Sequence, residues 1–99
     1  AVVNAEQVVE DELGRFANWW DSREAASVIK DVREMAETTR MRELDKALKL
    51  MPGLTDEQQA NIEAMSRSLV AKLLHQPTVR LKDPAGRPYL QAIKDLFGL

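Results

Sequence analysis

One histidine, no cysteine and sixteen carboxylates are the groups in these 99 residues with obvious chemical reach. His75 falls where a helix is expected to end. A catalytic histidine wants a nucleophile and an orienting acid within hydrogen-bond reach. The sequence around His75 shows no sign of either. Its simplest role is to bond terminal carbonyls and meet the negative end of the helix dipole. The absence of cysteine excludes a thiol nucleophile, a disulfide scaffold and a zinc knuckle together. No calcium-loop pattern and no Glu-x-x-His pair is present, so no metal ligand set is expected. The four glycines are too scattered to cradle a phosphate. No catalytic, cofactor-binding or metal-ligating residue is therefore assigned.

Two features could serve recognition instead. Trp19-Trp20 is the more conspicuous. Neighbours on a helix point about 100° apart, so one ring joins the apolar face and the other looks elsewhere. Core packing is the plain expectation for both, with an interface anchor as the alternative. The second feature is a thickening of basic residues that includes Arg67, Lys72, Arg80 and Lys82. These are the candidates for contact with RNA or with a partner. No aromatic side chains are interleaved with them, so a solvated surface is the plain reading. Arg40-Met41-Arg42 reads as an exposed helix flank.

Composition sets the class. Charged residues are 30% and hydrophobic residues 44%, an ordinary globular mixture. The net charge of −2 argues against a basic nucleic-acid module. No apolar run approaches the ~18 residues of a membrane span. A single domain in a reducing, soluble compartment is expected.

The elements that must position these residues are all helical. Val2, Ala5, Val9, Leu13, Phe16 and Trp20 recur at steps of three and four, one stripe of a first helix over about 1–20. Gly14 is a local flaw of about 1 kcal/mol unless close packing needs it. Ala1 gives no N-cap, and the helix is expected to continue from upstream. Asp21 with Glu24 has capping-box spacing, so a second helix is predicted over about 22–51. Its face is Ala25, Val28, Ile29, Val32, Met35 and Ala36, resuming at Leu44, Ala47, Leu48 and Met51. Pro52-Gly53 ends it. Thr55 and Gln58 form a capping box for a third helix over about 55–76. Ile62, Met65, Leu69 and Leu73 are its predicted face, widened by Val70 and Leu74. Pro77 disfavours helix at Gln76. The stretch 78–82 is either a helical turn or an extended link. Pro88 suits the first residue of a short last helix over about 88–97, and Gly98 its stop.

Length then implies a partner. A helix over 22–51 is ~43 Å long, whereas a compact domain of this size is only ~34 Å across. Its distal end still carries Leu44, Leu48 and Met51. Either the helix bends within the polar stretch 37–43, or a second chain supplies apolar cover. Two-fold pairing is the commonest such solution. The predicted interface residues are Phe16, Trp20, Val28, Ile29, Val32, Met35, Leu44 and Leu48.

Several stretches carry a family likeness: Phe16-Ala-Asn-Trp-Trp-Asp-Ser-Arg23, Val28-Ile-Lys-Asp-Val-Arg-Glu34 and Arg42-Glu-Leu-Asp-Lys-Ala-Leu48. Ser66 to Lys82 follows, its Lys72–Lys82 run the most specific part, and Leu96-Phe-Gly-Leu99 closes the chain. In order and spacing these resemble the C-terminal helical dimerisation domain of glutamyl-tRNA reductase. The resemblance implies a parent enzyme that reduces glutamate on its tRNA to glutamate-1-semialdehyde with NADPH, for tetrapyrrole (porphyrin) synthesis. It implies a spinal helix entering this domain, and pairing into a V-shaped dimer. It further implies docking of a tetratricopeptide-type regulator in plants. The expected compartment is the cytoplasm, or the plastid stroma in a plant or alga. With no cysteine and no glycine-rich loop, this chain cannot itself carry the parent's thioester or hydride chemistry. The expectation is an all-α homodimeric bundle of three long helices and a short C-terminal one, spanning 1–99 as one non-catalytic assembly domain. The competing roles are docking of a helical-repeat regulator and contact with tRNA.

Overall fold

The computed structural model describes the backbone of residues 2–99 and the side chains of residues 10–99. The expectations placed on Ala1 and on the side chains of Val2, Ala5 and Val9 lie outside the described residues. Helix α1 spans Val2–Lys49 and α2 spans Asp56–Lys82. A 3-10 turn over Pro84–Tyr89 leads to α3, Leu90–Phe97. The molecule measures 78 × 25 × 15 Å with a radius of gyration of 20.8 Å. A compact chain of this length would have a radius of ~13 Å.

That elongation comes from the first departure from expectation. The helices predicted over 1–20 and 22–51 are one helix of 48 residues. Asp21 and Glu24 have the spacing of a capping box, but a cap acts only where the backbone leaves the helix. No glycine or proline lies between Gly14 and Pro52 to force an exit. A break at Asp21 would orphan backbone donors and require a second costly nucleation. Asp21 is exposed and simply rides on the surface. Gly14 stays helical, and a Cβ built there would meet nothing within 4 Å.

The Pro52-Gly53 turn reverses the chain as predicted, and α2 returns along α1. Thr55 Oγ1 accepts from the Gln58 N–H at 3.1 Å, while Gln58 Oε1 accepts from the Thr55 N–H at 3.0 Å. The second departure is at Pro77, which lies inside α2. Proline removes one helical donor and crowds the carbonyl four residues back, here that of Leu73. Leu73 is exposed, so water can satisfy that carbonyl. Continuing the helix buries Thr78 and Leu81 against α1, and that burial offsets the defect. His75 is consequently not in a last turn: α2 continues seven residues past it, and the terminal-carbonyl role falls away.

The core gathers where three elements meet. Ala25, Val28, Ile29 and Val32 of α1 pack with Leu81 of α2 and Leu90 of α3, and Val28 has no exposed surface at all. Met35, Leu74 and Ile93 pack around them. The last helix starts at Leu90 and not at Pro88, because Asp83 Oδ1 accepts from the Ala85 N–H at 2.9 Å and starts the 3-10 turn first. Gly98 closes α3 in the left-handed region with φ 66°. Gly86, within the turn, is buried against the end of α2. A Cβ there would lie 1.9 Å from the Arg80 carbonyl oxygen and 3.2 Å from Leu81 Cα.

Arg40 is the third departure. It is buried, whereas Met41 and Arg42 are exposed as expected. Its guanidinium donates to both carboxylate oxygens of Glu37 and, at 3.1 Å, to Ser66 Oγ on α2. Ser66 in turn donates to the Glu63 carbonyl at 2.8 Å. The arginine thus fixes the register of α2 on α1. The hydrogen bond from Arg40 holds the Glu37 carboxyl below the usual glutamate range.

Two outcomes test this packing. Gly86→Ala must push backbone against backbone, and should destabilise the chain by at least about 2 kcal/mol in urea melts. Because the folded state lowers the Glu37 value, its contribution is present above the ordinary glutamate range and lost as pH falls through the lowered one. The urea midpoint of Glu37→Gln should therefore lie below that of the parent chain near pH 7. The two should converge once the pH has fallen through the lowered Glu37 range.

Candidate association surface

Among the described residues, α1 begins to meet the rest of the molecule near Asn18, which with Asp21 and Ser22 lines a groove beside Pro84, Arg87 and Pro88. Ser22 Oγ accepts from Arg87 at 3.4 Å, and Glu24 sits 4.0 Å from Lys94 Nζ. The helix before that point is an arm. Leu13, Phe16 and Trp20 stand on one side of it with more than half of their surface exposed. Trp19 points elsewhere and is partly occupied. The Arg23 guanidinium lies 5.0 Å from its ring centroid, a cation–π contact, and Phe16 is centred 6.0 Å away. Among the described residues Trp20 makes no aromatic or cation–π contact. A solvated arm of this length could be wholly polar, so an unmatched apolar stripe on it marks an interaction surface.

A second open face lies on α2. Its predicted apolar side was Ile62, Met65, Leu69 and Leu73, widened by Val70 and Leu74; the structure turns the widened edge inward and leaves Ile62 half-buried. Leu74, Thr78 and Leu81 face α1, with Val70 half-buried. Met65, Leu69 and Leu73 are left outside, Leu69 with 55% of its surface exposed. Tyr89 and Leu96 add exposed apolar surface beside α3.

The predicted interface residues divide accordingly. Phe16 and Trp20 stand at the surface. Val28, Ile29 and Val32 form the chain's own core, and Met35 packs against it. Leu44 and Leu48 are half-buried, while Met51, the third residue expected to need cover there, is exposed with Leu50 beside it; uncovered apolar surface lies on the N-terminal arm as well as at this distal tip. Leu69 and its neighbours were missed as surface, although their fourfold spacing was visible. Which side of α2 meets α1 is set by where Thr78, Leu81 and Ser66 find partners.

The four basic candidates do not form one patch. Arg67 pairs with Glu63 at 2.6 Å. Arg67 and Lys82 both line a groove of about 610 Å³ between the long helices, together with Arg33, Glu37 and His75. Lys72 and Arg80 are exposed, and at 100° per residue the four are spread around the axis of α2. Among the described residues no helix is long and apolar enough to cross a membrane.

Comparison with known proteins gives this surface a context. A glutamyl-tRNA reductase of Roseiflexus castenholzii is 36% identical across 96% of the chain, and one of Chloroflexus aurantiacus is 40% identical across 96%. A third, from Thermosynechococcus vestitus, is 38% identical across 96%. The chain spans only 23%, 23% and 24% of the length of these three relatives. No solved structure matches it. The family model described as the glutamyl-tRNAGlu reductase dimerisation domain matches residues 4–99, and the chain belongs to that family.

Proposed function

We propose that this chain is the homodimerisation module of a glutamyl-tRNA reductase and has no catalytic role of its own. The observation that carries the reading is the open apolar surface. The single chain covers one side of α1 from Ala25 to Leu48 under α2 and α3. It leaves Leu13, Phe16, Trp20, Met65, Leu69 and Leu73 exposed. Covering such surface is favourable by about 25 cal/mol per Å² before the costs of association. The family match supports a second copy as the cover.

In this reading the parent enzyme reduces glutamate carried on its tRNA to glutamate-1-semialdehyde, with NADPH as the hydride source, at the head of tetrapyrrole synthesis. Those activities belong to parts of the relatives that this chain does not span. The chain's contribution is mechanical. A rod-like α1 fixes the distance and direction at which whatever precedes it is held relative to the twin. A cytoplasmic setting, or a plastid stroma in a plant or alga, fits the same reading.

Multi-angle light scattering at micromolar concentration should give twice the mass of one chain. The thermal midpoint should rise with protein concentration, since association stabilises by mass action. A strict monomer with a concentration-independent midpoint would overturn the proposal.

A further inference from the structure

Two hollows adjoin along α1 and form one trough that carries unmatched positive charge. The first, of about 560 Å³, has Ala25, Ala26 and Ile29 as its apolar wall. The second is the groove of about 610 Å³ between the long helices, with Val70, Leu74 and Val79 in its wall. Arg33, Glu37 and Lys82 line both. From Ser22 to Glu37 the trough follows α1 for ~22 Å. Lys30, Arg40, Lys46, Lys49, Arg67 and Lys94 each lie within 4.0 Å of a carboxylate. Among the described residues Arg33, Lys82 and Arg87 form no such pair, and all three line the first hollow. The two carboxylates beside them, Glu34 and Glu37, are already taken up by Lys30 and Arg40. Arg87 is half-buried and held in place, its Nη2 donating to Ser22 Oγ at 3.4 Å and to the Lys82 carbonyl at 3.2 Å. Its Nε is buried without an acceptor among the described residues. A buried donor left unmatched costs free energy, so the fold by itself does not satisfy this guanidinium.

We infer that this trough docks an acidic peptide segment of a partner protein, one that carries apolar side chains between its carboxylates. Charge complementarity selects the sign. The chain as a whole has a net charge of −2, so the excess of cations here is local and runs against the overall balance. Two of the three free cations are guanidiniums, whose forked donors suit carboxylates. The walls select a peptide over a nucleic acid. The apolar side chains that line both hollows match nothing on a phosphate backbone. No phenylalanine, tyrosine or tryptophan lines either hollow to stack a base. A small anion would neutralise one cation and leave most of the length empty. The trough is separate from the exposed stripe of Leu13, Phe16 and Trp20, so the inference does not rest on the homodimer.

The probe is a fluorescently labelled peptide of about fifteen residues made only of glutamate and leucine, long enough as a helix to fill the trough. Its anisotropy should rise on binding the chain. Raising salt from about 50 to about 500 mM should weaken that binding by at least about tenfold. Arg33→Gln with Lys82→Gln should also weaken it by at least about tenfold. Lys72→Gln with Arg80→Gln removes the same charge from exposed positions outside both hollows. That pair should change the dissociation constant by less than about twofold. Circular dichroism checks that both double variants keep their helicity. If the first pair does not, Ala26→Glu takes its place, since it sets a carboxylate in the wall at an exposed helical position, and it should give the same loss. Three results would each overturn the inference: no binding at about 100 μM chain, equal losses in the two double variants, or tighter binding of an oligouridylate carrying the same charge as the peptide.

Discussion

A single uninterrupted helix governs everything else in this molecule. Helix α1 has 48 residues, and α2 returns along only part of it. A rod laid against a shorter rod must overhang. The overhang is the N-terminal arm, because the tight turn at Pro52-Gly53 aligns the two helices at the other end. Helices α2 and α3 crowd onto α1 near Val28, and among the described residues the chain's contacts with α1 thin out near Asn18. The distribution of apolar side chains does not follow that boundary. It continues out along the arm and across the outer side of α2. The elongated shape leaves apolar surface on the arm and on the outer side of α2 uncovered.

The polar contacts serve alignment. Arg40 links Glu37 on its own helix with Ser66 on the facing one. Buried charge is a poor source of net stability but a good fixer of register. Here the register determines which apolar residues of α2 turn inward. Leu74, Thr78 and Leu81 meet α1, and Met65, Leu69 and Leu73 are directed away. Gly86 has the same kind of role at the other end. It lets the 3-10 turn close onto the Arg80 carbonyl so that Leu90 can enter the core. The core of the hairpin and the open faces around it are two consequences of one alignment.

The helical class, the Pro52-Gly53 reversal, the Thr55–Gln58 cap and the Gly98 stop were all legible in the residues themselves. Each is a local event: a periodic face, a side chain that bonds its own backbone, or a glycine at a left-handed position. Membership in the dimerisation-domain family was legible too, from the spacing of conspicuous residues such as Trp19-Trp20 and the Lys72–Lys82 run. The expectation of no catalytic residue came from composition, since a chain with no cysteine and one histidine offers little to build a site from.

Only the tertiary structure decided where the helices stop and which sides they hide. Asp21 and Pro77 each carry a real local signal for a boundary, yet α1 and α2 run through both. Local propensities are of the order of 1 kcal/mol, and up to about 3 for proline, whereas burying Thr78 and Leu81 or keeping a helix unbroken gains from many groups at once. Likewise the sequence marked Val28, Ile29 and Val32 as apolar but had no means to say whether a second copy or the chain's own Leu81 and Leu90 would cover them. Periodicity shows that a face will be covered. The partner is chosen by distance in space, and distance exists only once the chain has folded.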